Sequence, residues 1–192
     1  ARASIAEQIA SIELPEGYDM KWEGEKSASN ESMKYLFKYY PLAVILMIAI
    51  LIALFKDYRK PAIIVLCLPL LFIGVIFGMM LSGKTFGFVA IVATLGLVGM
   101  LIKNGIVLMD EITLQINAGK EPVDALMESS ASRFRPVMLA SLTTILGMIP
   151  LLGDSLFGPA AVVIMGGLLV GTLITLLFIP VLYALFYRIR IK

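Results

Sequence analysis

Histidine is absent from the 192 residues, and cysteine occurs once, as Cys67 inside an apolar run. The lone cysteine excludes an intrachain disulfide and a thiol-built metal site. Without histidine, any proton chemistry falls to Lys, Asp or Glu. Charge is scarce too: 16% of residues are Asp, Glu, Lys or Arg, against about 25% in soluble domains. The net charge of +2 is too small to point to a nucleic-acid partner. No nucleophile–base pair, phosphate loop or HExxH is present, so nothing in the chain reads as an enzyme. The eleven methionines are scattered and do not form a metal path.

What remains is apolar. Hydrophobic residues make up 59% of the chain, where a soluble domain has about 45–50%, and mean hydropathy is +0.93. A spanning helix needs about 20 mostly apolar residues. Five segments qualify, near 33–55, 61–81, 86–112, 136–153 and 159–187. The last is long enough to tilt or to project beyond a bilayer. Backbone polar groups must be paired inside lipid, which helices do locally. The fold class expected is an all-α polytopic bundle of five transmembrane helices, residues 31–192.

Residues 1–30 differ. Ile5, Ile9 and Ile12 recur at helical spacing, "LPEGY" is a turn, and "DMKW" alternates as a strand does. The segment reads as a short α/β remnant closing an extracytoplasmic domain, with a disordered chain end as the alternative. The start "ARAS", with no methionine and no signal-peptide core, is expected of a piece of something longer.

Basic residues favour the cytoplasmic side. "KDYRK" (56–60), the stretch 110–135 with Lys120, Arg133 and Arg135, and the tail "RIRIK" carry most of them. Lys84 and Asp154 mark the other side. This predicts a cytoplasmic C-terminus.

The residue to explain is Lys103, in "LVGMLIKNGIVLMDE" (97–111). A charge at the bilayer centre costs about 2.5–3.5 kcal/mol on insertion scales. Snorkelling to an interface is one reading. The other is an internal ion pair. Gly96 and Gly99 lie at i−7 and i−4, and Ile106 and Asp110 at i+3 and i+7, on the same side. Small residues admit a neighbouring helix. The five spans hold no carboxylate at that depth, and Asp110 is two turns away on the same helix. The partner must come from another segment or chain. In "SRFRPVMLASLTTILG" (132–147), Arg133 and Arg135 stand at the mouth of the fourth span, as topology anchors or as functional groups. Ser141, Thr143 and Thr144 follow inside, either bonding their own i−4 carbonyls or facing a partner. Gly74/Gly78 and Gly167/Gly171 are GxxxG pairs, a packing signal.

These runs carry a resemblance. "LVGMLIKNGIVLMDEI" and "AGKEPVDALMESSASRFRPVMLASLTTILGMIPL", with "GYDMKWEG", "YRKPAIIVLCLPLLFIG" and "MGGLLVGTLITLLFIPVLYALFY" in the same order, closely resemble the resistance–nodulation–division (RND) transporters, specifically the hydrophobe/amphiphile multidrug efflux branch. The resemblance implies the last five spans of a twelve-span pump, with residues 1–30 closing a periplasmic porter domain. It implies drug/proton antiport in the bacterial inner membrane, driven by the proton-motive force with no cofactor. It implies a homotrimer with a periplasmic adaptor and an outer-membrane channel. The family's proton site pairs a lysine, matched by Lys103, with two aspartates of an earlier span. Its relay arginine is matched by Arg133. Its relay threonine is replaced by Ala140, leaving Ser141 or Thr144 to substitute. An RND-like export accessory or lipid exporter, and a non-transporting structural membrane subunit, are the alternatives.

Overall fold

The computed structural model describes residues 25–189. The helices are α1 (Glu25–Phe55), α2 (Arg59–Ser82), α3 (Phe88–Asn117), α4 (Pro122–Met148) and α5 (Gly158–Phe186), with a 3-10 turn, Ile149–Gly153, after α4. All five are long and apolar enough to cross a membrane. The helix at Ile5–Ile12 of the α/β remnant read at 1–30 lies outside the described residues, as do its strand and turn. Residues 25–30 are the first turns of α1. The chain divides into two compact units, 1–41 and 42–192.

The helices run longer than their apolar stretches. The third helix runs to Asn117, as the lack of any Gly or Pro between Ile106 and Ala118 allows, and the mixed-charge stretch 110–135 is helix except at 118–121. Local chemistry explains this. Pro122 sits at the first position of α4, where its missing N–H is not needed. Asp124 lies in the first turn, where a negative charge suits the helix dipole. Hydropathy registers neither signal. At the opposite end of the bundle, Gly83 stops α2 with a φ of 62° and donates its N–H to Met79 O at 3.1 Å. Asp154 Oδ1 accepts the N–H groups of Leu156 and Phe157, each at 2.7 Å, just before α5. Those two hydrogen bonds hold its carboxyl below the usual carboxylate range, against a small opposing effect of desolvation.

Within 42–192, α5 is the central helix. It packs most extensively along α2, then along α3 and α4. The α2–α5 seam is built on glycine. A Cβ on Gly74 would stand 2.5 Å from Gly166 O and 2.7 Å from Val170 Cβ, and one on Gly166 would stand 2.7 Å from Gly74 O. The two backbones touch there, which only glycine allows. One turn on, Gly167 and Gly171 of α5 receive Leu97 and Leu101 of α3. The GxxxG pairs therefore hold α2 and α3 against α5. Two buried clusters follow, one around Leu71, Val75, Leu97 and Val163, the other around Ile64, Leu108, Met109, Ile112 and Ile179.

Replacing Gly74 by Val forces this seam apart. Overpacking typically costs about 1–3 kcal/mol, so the detergent-solubilised variant should unfold at a clearly lower temperature. An unchanged midpoint would contradict backbone contact at Gly74.

The open face of α3 and the polar ends of the bundle

Lys103 is the sixteenth of the thirty residues of α3, about 22 Å from its start at 1.5 Å per residue. The helix has two unlike sides. Leu97, Leu101, Leu108, Met109 and Ile112 are buried against α2 and α5, and Gly105 lies under Ile179 and Ile64, which would be 3.2–3.3 Å from an added Cβ. The other side is open. Gly96, Gly99, Lys103 and Asp110 are exposed, and a Cβ at Gly96 or Gly99 would meet nothing within 4 Å. Ile106, read onto the same stripe, instead leans on the core. Among the described residues no hydrogen bond or ion pair is made by Lys103. An apolar helix thus presents a glycine-flanked ammonium to whatever covers this face.

The structure does not join the other three candidate residues to Lys103. Arg133 forms an ion pair with Glu111 across the α3–α4 seam, and Gln115 Nε2 donates to the other oxygen of that carboxylate at 3.1 Å. Ser141 is buried, its hydroxyl 2.8 Å from Thr172 Oγ1 on α5. Thr144 donates to its own helix, to Ala140 O at 2.9 Å, as Thr143 does to Leu139 O at 2.8 Å. Ala140 is exposed. Arg135 is exposed as well.

Sequence reading missed several of these partners. Glu111 and Arg133 stand near the same ends of consecutive antiparallel helices with opposite charge, and that signal could have paired them. Thr172 gave none, because serine and threonine are common in membrane helices.

A second polar cluster ties the α1–α2 connection to the end of α5. Tyr187 OH donates to Asp57 Oδ2, and the Arg59 N–H donates to Asp57 Oδ1 at 3.0 Å. Tyr187 stacks on Tyr183 with centroids 4.4 Å apart, and the Arg59 guanidinium lies 5.6 Å from the Tyr187 ring centre. Nearby, the buried Lys60 donates to Thr113 Oγ1 at 2.8 Å, and Thr113 donates to Met109 O at 2.8 Å. At the far end of the bundle Lys84 Nζ donates to Asp154 O at 3.3 Å.

Desolvation alone would raise the Asp57 carboxyl, but the Tyr187 and Arg59 hydrogen bonds and the Lys60 and Arg59 charges outweigh it and hold it low. Burial, then the hydrogen bond to Asp57, pushes the Tyr187 phenol up. A carboxyl lowered on folding stabilises the fold above its ordinary value of about 3.9 and loses that stabilisation as pH falls through the folded value. Tyr187→Phe should therefore destabilise by about 1 kcal/mol at neutral pH, modest because water competes at a helix end. The gap should close as pH falls below about 4. A deficit independent of pH, seen in thermal unfolding at several pH values, would place the role of Tyr187 in packing instead.

Comparison with known proteins gives the setting for these features. The AcrB/AcrD/AcrF family model matches residues 1–187. The multidrug resistance protein MdtC of Serratia proteamaculans (strain 568) is 29% identical over 198 residues, taking in 100% of this chain and 19% of that protein. Two crystal forms of a heavy metal efflux pump are similar in structure, both at 26% identity and over 97% of this chain and 19% of theirs. Crystal form II gives a TM-score of 0.75 and crystal form I gives 0.70. The chain thus spans 19% of the length of each of these relatives. With a family match from residue 1 to 187 and five helices fit to cross a membrane, this multi-pass membrane protein belongs to the AcrB/AcrD/AcrF family of resistance–nodulation–division transporters.

Proposed function

We propose that this chain supplies the lysine half of the proton site in a secondary active efflux transporter that exchanges protons for amphiphilic, drug-like compounds. The observation that carries the reading is Lys103, held at mid-helix on an open, glycine-flanked face with no partner among the described residues. A charge at that depth is costly, so it needs an acidic partner, which this reading draws from the rest of the same transporter. While the facing carboxylates are ionised, the ammonium is attracted to them. Protonating a carboxylate removes the attraction and lets the side chain and its helix adopt another arrangement. Burial and nearby charge tune when that occurs. One charge crossing the membrane potential supplies about 2.3 kcal/mol per 100 mV, and a rigid-body shift of helices carries the change to the substrate-handling part.

Drug-like substrates are favoured over metal ions by the Lys103–Asn104 pair, which follows the multidrug branch. The same reading sets the transporter in the bacterial inner membrane with its C-terminus cytoplasmic. It works there as a homotrimer with a periplasmic adaptor and an outer-membrane channel. Among the described residues, the connections 56–58 and 118–121 and the chain end after α5, which alternation of five helices puts on one side, hold Lys56, Lys120 and Arg188, against Lys84 alone on the other, in keeping with that orientation.

Lys103→Ala or Lys103→Met in the full-length transporter should abolish drug resistance at normal membrane expression. Retained resistance would reject the role. Arg133→Ala should weaken resistance less. Thr144 already satisfies its hydroxyl within α4, so a Thr144→Ala variant with normal proton flux would remove it from the relay.

A further inference from the structure

We propose that Glu111 is a positioning residue of the proton machinery, a carboxylate whose protonation decides whether Arg133 is held in the α3–α4 seam or released from it. The inference rests on the antiport reading above and extends it to a residue which that reading does not use. Three observations on the seam carry it. Glu111 and Arg133 are paired across two helices, 22 residues apart in sequence. The pair is half-buried, with side-chain exposures of 19% for Glu111 and 37% for Arg133, so its charges are screened less than those of a surface pair. Gln115, one turn along α3, donates to the free oxygen of Glu111 and fixes the carboxylate's direction.

The chemistry of the pair is one-sided. A guanidinium does not lose its proton in proteins. Only Glu111 can switch. When its carboxylate takes a proton from water at this end of the bundle it becomes a neutral carboxylic acid. The ion pair is lost, and Arg133 keeps its full charge without a counter-ion. Loss of the proton to water restores the pair. Glu111 lies eight residues beyond Lys103 on the same helix, about 12 Å along the axis, so the two switchable positions share one rigid element. The charged groups acting on Glu111 are Arg133 from α4 and, further off, Lys120 from the α3–α4 connection, which is itself paired with Glu128. From α2, Lys60 faces Thr113 and the neighbouring Asp110 instead. No charged group of α5 is among those acting on Glu111.

The register places a further polar pair beside this one. Gln115 lies four residues after Glu111 on α3, and Ser129 four residues before Arg133 on α4. Gln115 Oε1 and Ser129 Oγ are both buried without a hydrogen-bond partner in the structure. One is an acceptor and the other can donate, so each keeps a free hydrogen-bonding valence near this seam.

The test uses the full-length transporter reconstituted in vesicles, with an intravesicular pH dye reporting proton movement on addition of ethidium as the amphiphilic cation, across a range of pH. Glu111→Gln keeps the shape and removes the switch. It should lower exchange severalfold and flatten the pH profile, whereas Glu111→Asp, which keeps a titratable carboxyl, should restore a pH-dependent profile. The doubly exchanged Glu111→Arg, Arg133→Glu protein keeps the pair with its charges reversed but moves the arginine to α3, so it should fold as wild type and still fail to recover pH-dependent exchange. A wild-type profile in Glu111→Gln would overturn the proposal. So would recovery of wild-type exchange in the doubly exchanged protein, or a loss uniform in pH that Glu111→Asp fails to correct, since those are the behaviours of a purely structural bridge. If Lys103→Met still exchanges protons for ethidium, the antiport reading itself fails. If only the Glu111 variants behave as wild type, the role of Glu111 alone fails.

Discussion

An ammonium group two-thirds of the way through an apolar run is the constraint around which this bundle is arranged. Leaving it in hydrocarbon is unfavourable by about 2.5–3.5 kcal/mol even on the lenient insertion scales, a large fraction of the stability margin of most domains. The helix that bears it is not free to rotate the charge away. Leu97 and Leu101 are seated on Gly167 and Gly171, and Gly105 is pressed under Ile64 and Ile179. Packing one side of α3 so tightly fixes the other side, with Gly96, Gly99 and Lys103, toward the open face. The position of the charge follows from the core.

The same glycine seams explain how a change at Lys103 could be felt elsewhere. Where backbones touch, as at Gly74 and Gly166, side chains cannot cushion relative motion. Helices packed in this way move as units or not at all. The polar ties at the ends are of another kind. Asp57 with Tyr187, and Glu111 with Arg133, join elements through charge-assisted hydrogen bonds that one proton can weaken. The middle of the bundle is held by shape, and its Lys56–Lys60 end by groups that respond to pH.

Much of this was legible in the sequence, and the rest was hidden for a physical reason. Five apolar runs of at least 18 residues read as spanning helices, and five helices long and apolar enough to span are found among the described residues. Lys103 was conspicuous because its cost is local to the chain, and the expectation of a partner from outside these spans came from counting carboxylates in them. The ends of α4 were misjudged because hydropathy is blind to Pro122 and Asp124, which start a helix in polar sequence. Pairings were the least legible feature. Ser141 finds Thr172, and Arg133 finds Glu111, through the register of packed helices, which no single segment encodes. The α/β reading of residues 1–30 gave way from residue 25 onward because α1 continues back through polar residues, again beyond the reach of an apolar criterion.

The central claim is that Lys103 couples proton movement to transport. It is tested most directly by counting protons moved per ethidium transported in vesicles holding the full-length protein, wild type against Lys103→Met at matched protein content. Coupled proton flux in the wild type, and its loss in the variant with the bundle still folded, is the expected result. Equal proton flux in both would contradict the account and leave Lys103 as a residue that merely reaches the interface or holds helices together.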